Sequence, residues 1–202
     1  MSNTTENSNR KKLVIIFAWF LIPLVAAFTW YKFLPENYRP TSTTNNGDIL
    51  EGIFALEPFS QQTVDGKKYS NVDVEKVWTL VHMIQSDCDE ACSQSLYNTR
   101  QMRISMGKDI KRLKRIAIVS ALVDSPSNKK MWASHPDLRV LIATDKGVAA
   151  QIKSKITEVE IEQNSLFLID PLGNVMMHFS SKLGPKLMKK DIRKLFKLSH
   201  IG

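Results

Sequence analysis

The chain has 202 residues, 43% hydrophobic and 24% charged, with 28 Lys+Arg against 20 Asp+Glu and a formal charge of +8. Such a length suits one domain plus an appendage, and the balance excludes both an unfolded chain and a multi-span membrane protein. Two cysteines exclude a disulfide-dense scaffold and leave one bridge or one two-thiol site.

The first element is a membrane span. Residues 13–31, LVIIFAWFLIPLVAAFTWY, hold no charge, and at ~1.5 Å per residue a helix of this length matches a hydrocarbon core of ~30 Å. Pro23 is tolerated in such a helix, and Trp30 and Tyr31 fall where an aromatic belt belongs. Arg10, Lys11 and Lys12 precede the run, so the positive-inside rule places residues 1–12 in the cytoplasm and the bulk of the chain across the membrane. A cleaved signal peptide is the competing reading; the run is longer than a usual signal core and lacks a small-x-small site before Trp30. Residues 35–48, PENYRPTSTTNNGD, read as a polar linker.

Beyond the linker, VWTLVHMI (77–84) is a short run suited to a buried strand. A polar stretch follows and then a helix reaching about Leu113, with Leu96, Met106, Ile110 and Leu113 on one face. RIAIVSALV (115–123) is a second buried strand, SPSNKK (125–130) a loop, LRVLIAT (138–144) a third strand, and KGVAAQIKSKI (146–156) a helix. SLFLID and NVMMHF flank the tight PLGN as a hairpin, in which Gly173 and Asn174 tolerate positive φ. Gly184-Pro185 opens a last helix with Leu187, Met188, Ile192, Leu195 and Phe196 as its apolar stripe. Strands alternating with helices mean an α/β sheet, and this order is that of a thioredoxin fold.

The charge follows these elements unevenly. Residues 35–99 carry −6, 100–115 carry +6 and 182–202 carry +6. RQMRISMGKDIKRLKR (100–115) reads as a solvated helix face around an apolar stripe, and residues 182–197 are similar; both basic segments could also meet anionic headgroups or an acidic partner. No nucleic-acid motif, G-x-G-x-x-G or P-loop is present, and nucleic acid is rejected as a partner.

The chemistry centres on Cys88-Asp89-Glu90-Ala91-Cys92, between the first strand and the first long helix. Positions i and i+4 share a helical face, so the sulfurs can close a disulfide or grip one soft cation. A helix N-terminus favours the thiolate, while Asp87, Asp89 and Glu90 oppose it. A purely structural bridge is the alternative to a functional pair.

The strand, the C-x-x-x-C and the later NSLFLIDPLGN resemble the Sco/SenC family, membrane-anchored thioredoxin-fold proteins of cytochrome c oxidase assembly. HPDLRVLIATDKGVAAQIKSK is also similar to the family's region after its second strand. The whole chain is similar to small proteobacterial membrane proteins grouped with oxidase assembly genes, sharing Asn46-Gly47, W-T-L-V, RQMRISMGKD and DPLGNVMM…SHIG. In the Sco family the two cysteines and one distant histidine bind copper. That histidine lies nine residues before the proline of the D-P-x-G turn, and here the position is Glu162. A carboxylate would bind Cu(I) weakly, although it could join two thiolates on Cu(II); Gln163 and Asn164 are poorer ligands. His82 and His178, in apolar strands, read as core or hydrogen-bonded histidines, and His135, before Pro136, as a turn residue. The approach to the strand facing the cysteines, Glu162-Gln163-Asn164-Ser165, also lacks the proline of thioredoxin-type oxidoreductases, which with the longer cysteine spacing counts against a general disulfide exchanger.

The sequence therefore predicts an α/β, thioredoxin-like protein with one N-terminal transmembrane helix: a cytoplasmic tail (1–12), the helix (13–34), a linker (35–48) and a thioredoxin-like domain (49–202). The resemblance implies an assembly factor for a respiratory cytochrome c oxidase in a bacterial inner membrane, its domain periplasmic. Cys88 and Cys92 would act as a redox pair on client thiols or carry copper transiently, with Glu162 at most a weak third ligand. Its partners would be the membrane and oxidase subunits or other assembly factors. A broader thiol–disulfide oxidoreductase and a non-catalytic binding module with a structural disulfide are the alternatives.

Overall fold

The computed structural model describes residues 3–33, 44–85, 87–119, 126–199 and 201. The chain divides into two compact units, residues 1–44 and 45–202. In the first, helix α1 (Asn3–Phe33) runs unbroken through Pro23, and its segment Arg10–Phe33 is long and apolar enough to cross a membrane. Leu13, Phe17, Trp19, Phe20, Leu24 and Phe28 are all exposed, as expected of a helix whose solvent is lipid rather than a protein core.

The second unit is a six-stranded sheet wrapped by helices. Its elements are β1 (Asp48–Ala55), β2 (Ser60–Gln62), β3 (Lys68–Ser70), α2 (Asn71–Val74), β4 (Trp78–Ile84), α3 (Glu90–Ile104), a 3₁₀ segment (Gly107–Arg112), β5 (Leu113–Val119), α4 (Pro126–Ala133), β6 (Leu138–Ile142), α5 (Val148–Lys155), β7 (Leu166–Ile169), β8 (Asn174–Phe179) and α6 (Pro185–Leu198). The sheet order is β1-β8-β7-β4-β5-β6, with β4, β5 and β6 parallel and the β7–β8 hairpin and β1 antiparallel. All seven residues of β4 are buried, because a strand paired on both sides and covered on both faces can carry only apolar or internally satisfied side chains. This is a mixed α/β, thioredoxin-like fold.

Alternation along β4 sorts the core. Trp78 and Leu80 face one side with α6 residues Met188, Ile192 and Phe196, and Ile84 faces Cys92 and Leu96 of α3 on that same side. Val81 and Met83 face the other, against Val148 and Ile152 of α5, Phe59 and Tyr69 of the β2–β3 hairpin and Val74 of α2. The turn between β7 and β8 closes on Asp170, whose carboxylate accepts the Leu172 and Asn174 amides. Gly173 alone takes positive φ there, at 87°, while Asn174 already belongs to β8.

Four local expectations are corrected. The first long helix stops at Ile104; Gly107, with φ 64°, turns the chain, and Leu113 opens β5 instead of extending a helical stripe. SPSNKK is not wholly loop: Pro126–Ala133 form α4, whose Met131 and Trp132 pack on the core beside α3. Leu187 of α6 is 42% exposed, outside the stripe that buries Met188, Ile192 and Phe196. The arginines of residues 100–115 are not a solvated face. Arg115 is fully buried, Arg103 Nε donates to the Leu113 carbonyl at 2.6 Å, and Arg112 donates to the carbonyls of Phe196, Ser199 and Ile201. The end of the expected second strand, residues 120–123, lies outside the described residues.

Candidate functional site: the cysteine pair

The site starts where β4 ends. Parallel pairing with β5 and antiparallel pairing with β7 hold β4 rigid up to Ile84, and α3 begins six residues later. Asp89 caps α3 by accepting the Cys92 amide at 2.8 Å, so the first turn forms with one cysteine just outside the helix and one inside it. Cys88 and Cys92 are joined as a disulfide, their Cα atoms 5.1 Å apart. The two sulfurs differ in access. Cys92 is 1% exposed, within a core of Ile84, Leu96, Ala117, Val119, Leu138 and Val140, whereas Cys88 is half-buried at its margin, where Met131 and Trp132 also pack.

The segment before β7 is stitched to the end of β4. The Met83 amide donates to the Ser165 carbonyl at 2.9 Å and the Asn164 amide to the Met83 carbonyl at 3.0 Å. The Gln85 amide donates to Gln163 Oε1 at 2.8 Å, and Gln85 Nε2 to the Ile161 carbonyl at 2.9 Å. Asn164 takes φ 66°, a left-handed turn that asparagine tolerates, where thioredoxin-type enzymes use proline.

The expected ligand positions separate. Glu162 is turned toward the loop after β8, where its carboxylate accepts from Ser181 Oγ at 3.2 Å and pairs with Lys182 at 3.5 Å. Among the described residues no three His, Cys, Asp or Glu side chains converge as a metal site. Two sulfurs, once the bridge is reduced, are donors of the kind that suit a soft ion rather than a hard one. His178 bonds Asp48 through Nδ1 at 3.2 Å and Ser165 through Nε2 at 3.4 Å. His135 is buried at the turn into β6.

A polar cluster beneath α3 was not anticipated from the sequence. Arg115, opposite Leu80 on the sheet, gives one guanidinium nitrogen to Asp137 at 3.0 Å and another to the Leu96 carbonyl at 2.8 Å, one helical turn beyond Cys92. His82 Nε2 lies 3.0 Å from Thr99 Oγ1, and that hydroxyl also reaches the Ser95 carbonyl at 3.0 Å. Burial, reinforced by the Arg115 charge, holds the His82 imidazole well below the usual histidine range, so it is neutral. Burial likewise lowers His135. The signal available was an arginine at the head of the apolar run RIAIV.

The family model for the transmembrane-like, thioredoxin-like, C-terminal domain matches residues 78–199, from the first residue of β4 to just past α6. The chain belongs to this family. Solved structures share its fold. A Sco family cytochrome c oxidase assembly protein, BsSco, whose structure identified a disulfide switch, is 19% identical with a TM-score of 0.56, covering 75% of this chain and 98% of that one. ScoI of Bradyrhizobium japonicum with copper bound is 20% identical with a TM-score of 0.52, covering 70% and 99%. A thiol:disulfide interchange protein of Chlorobium tepidum is 17% identical with a TM-score of 0.57, covering 70% and 95%. No curated protein matches the chain.

Proposed function

We propose that the protein is a membrane-anchored, Sco-like assembly factor for a respiratory cytochrome c oxidase, in which α1 spans a bacterial inner membrane and Cys88–Cys92 exchanges disulfides with client thiols in the periplasm. The observation that carries this reading is the asymmetry of the pair: a half-buried Cys88 beside a fully buried Cys92 at the start of a helix. A client thiolate reaches Cys88 Sγ. Its attack forms a client–Cys88 bond and breaks Cys88–Cys92, and Cys92 leaves as a thiolate that the α3 N-terminus stabilises. A second client thiolate then attacks the client sulfur and releases Cys88, leaving the client oxidised and the pair reduced. The reverse sequence reduces a client. Copper, as in the Sco proteins solved with it, would be cargo held by the two reduced sulfurs, with Glu162 tied instead to Ser181 and Lys182.

The access difference gives the test. Cys92→Ser leaves Cys88 to form a mixed disulfide that nothing resolves, so an oxidase subunit or assembly factor is expected to be trapped on it. Cys88→Ser should trap none. Trapping of many unrelated thiol proteins would favour the broader oxidoreductase, and a reduction potential below about −300 mV would mark a structural bridge. Cu(I) titration of the reduced protein should lose its signal in either serine variant and keep it in Glu162→Gln.

A further inference from the structure

A second surface lies past the far end of α3. The 3₁₀ segment and the C-terminal half of α6 enclose an open cavity of about 460 Å³ lined by Met106, Lys108, Asp109, Arg112, Arg193, Phe196 and Lys197. Four cations face one carboxylate, and Asp109 is already paired with Arg112 at 3.8 Å. The only acid of α6, Asp191, is 2% exposed and consumed by the chain entering from the linker: its two oxygens accept the Asn46 amide, Asn46 Nδ2 and the Gly47 amide at 2.7–2.9 Å. Among the described residues that line the cavity, Asp109 is the one acid. Next to Lys197 along the chain Leu198 is 73% exposed, and Ile201, whose carbonyl accepts from Arg112, is 50% exposed. Cations beside exposed aliphatic groups are the composition of a headgroup-facing surface, with Lys and Arg at the phosphates and Leu and Ile toward the acyl boundary.

The point of attachment agrees. Asn45, the first residue of the folded unit, accepts from Lys194 Nζ of α6 at 3.4 Å, so the linker meets the unit on the helix that carries these cations. Eleven residues, 34–44, lie between α1 and this point, and at ~3.5 Å each they reach no further than about 40 Å. Such a tether keeps the basic surface at high effective concentration near the lipid, so weak individual attractions suffice.

We propose that the surface formed by Lys108, Lys111, Arg193, Lys194 and Lys197 docks on the anionic headgroups of the membrane in which the chain is anchored. Docking has a consequence for the cysteine pair. The cysteines lie at the N-terminal end of α3 and this surface beyond its C-terminal end, about 22 Å of helix away. A docked unit holds its disulfide clear of the bilayer, presented to soluble segments of a client. This inference rests on α1 being a membrane anchor.

The test uses the full chain in nanodiscs of phosphatidylcholine alone or with about 30% phosphatidylglycerol, with lysine acylation read by mass spectrometry at low salt. Incorporation into either disc checks the anchor; a chain that does not incorporate sinks that reading, and the docking with it. Given incorporation, Lys108, Lys111, Lys194 and Lys197 should be acylated at least three-fold more slowly in the phosphatidylglycerol discs. Lys68 and Lys153, on the elements packed against the opposite sheet face, should be unchanged, and the protection should vanish at about 0.5 M salt. Arg193→Gln combined with Lys197→Gln should abolish protection of Lys108 and Lys111 while leaving the Cys88–Cys92 potential unchanged. Equal rates in the two discs would overturn the proposal and leave the surface to an acidic protein. Equal protection by inorganic phosphate in phosphatidylcholine discs would overturn it in favour of a free-anion site.

Discussion

Arg115 and His82 show what a single side chain must do to exist in this core. A guanidinium cannot be left dry and unpaired, so Arg115 is divided between Asp137 and the Leu96 carbonyl, and it fixes the turn of α3 that follows Cys92. His82 meets the same constraint by remaining neutral against Thr99. Because its folded pKa lies below the ordinary 6.5, the unfolded chain binds a proton that the folded one refuses. Stability is then unaffected by His82 above pH 6.5 and falls as pH drops below it, by up to about 1.4 kcal/mol per unit. Urea denaturation between pH 7 and pH 5 should show this slope and lose most of it in His82→Gln; an unchanged slope would place the titration elsewhere. The pairing of Arg115 is hidden in the sequence because its partner lies 22 residues away and because residue 115 opens the second strand at the edge of a basic segment that reads as solvated. Glu162 illustrates the converse: counting residues located the position, but only the fold revealed that its carboxylate turns to Ser181 and Lys182.

At the scale of elements, the strongest periodic signals were legible. β4, β6, the β7–β8 hairpin, α5 and α6 lie within a residue or two of where apolar runs and turn residues placed them. The misread elements had misleading local patterns. Leu113 is in helical phase with Ile110 and Met106, yet Gly107 ends the run, and α4 is an eight-residue helix whose polar opening resembles a loop. The edge strand β1 was not anticipated, since its pattern becomes meaningful only beside β8. Its start depends on α6 through Asp191. Asp191→Asn keeps the shape but replaces an acceptor-only carboxylate with a group that can accept at one atom only, opposite three donors. A loss of about 2 kcal/mol in unfolding free energy is expected, read from the urea midpoint, with the Cys88–Cys92 disulfide intact. Less than a few tenths would mean that the contact contributes nothing net.

For the molecule as a whole, composition was a poor guide and distribution a good one. A charge of +8 invited a polyanion-binding reading, yet much of the basic segment 100–115 is engaged in holding α3, β5 and α6 together. The apolar helix, long enough to cross a membrane, was plain from nineteen uncharged residues. Its orientation is open to a direct check: alkaline phosphatase fused after residue 202 should be active in bacteria, and a green fluorescent protein fused there through the same export route should stay dark. The opposite pattern would invert the proposed topology.

The fork of bonds from Asp191 to Asn46 and Gly47 also sets where a pull on the linker would enter the folded unit. A client bound at the cysteines and a helix fixed in lipid would pull on the linker from opposite ends. That tension would arrive first at a carboxylate on α6, a helix seated on the central strands through Met188, Ile192 and Phe196, and only afterwards at β1, an edge strand of the sheet. The joint works as a cleat: the line is made fast before it reaches the edge.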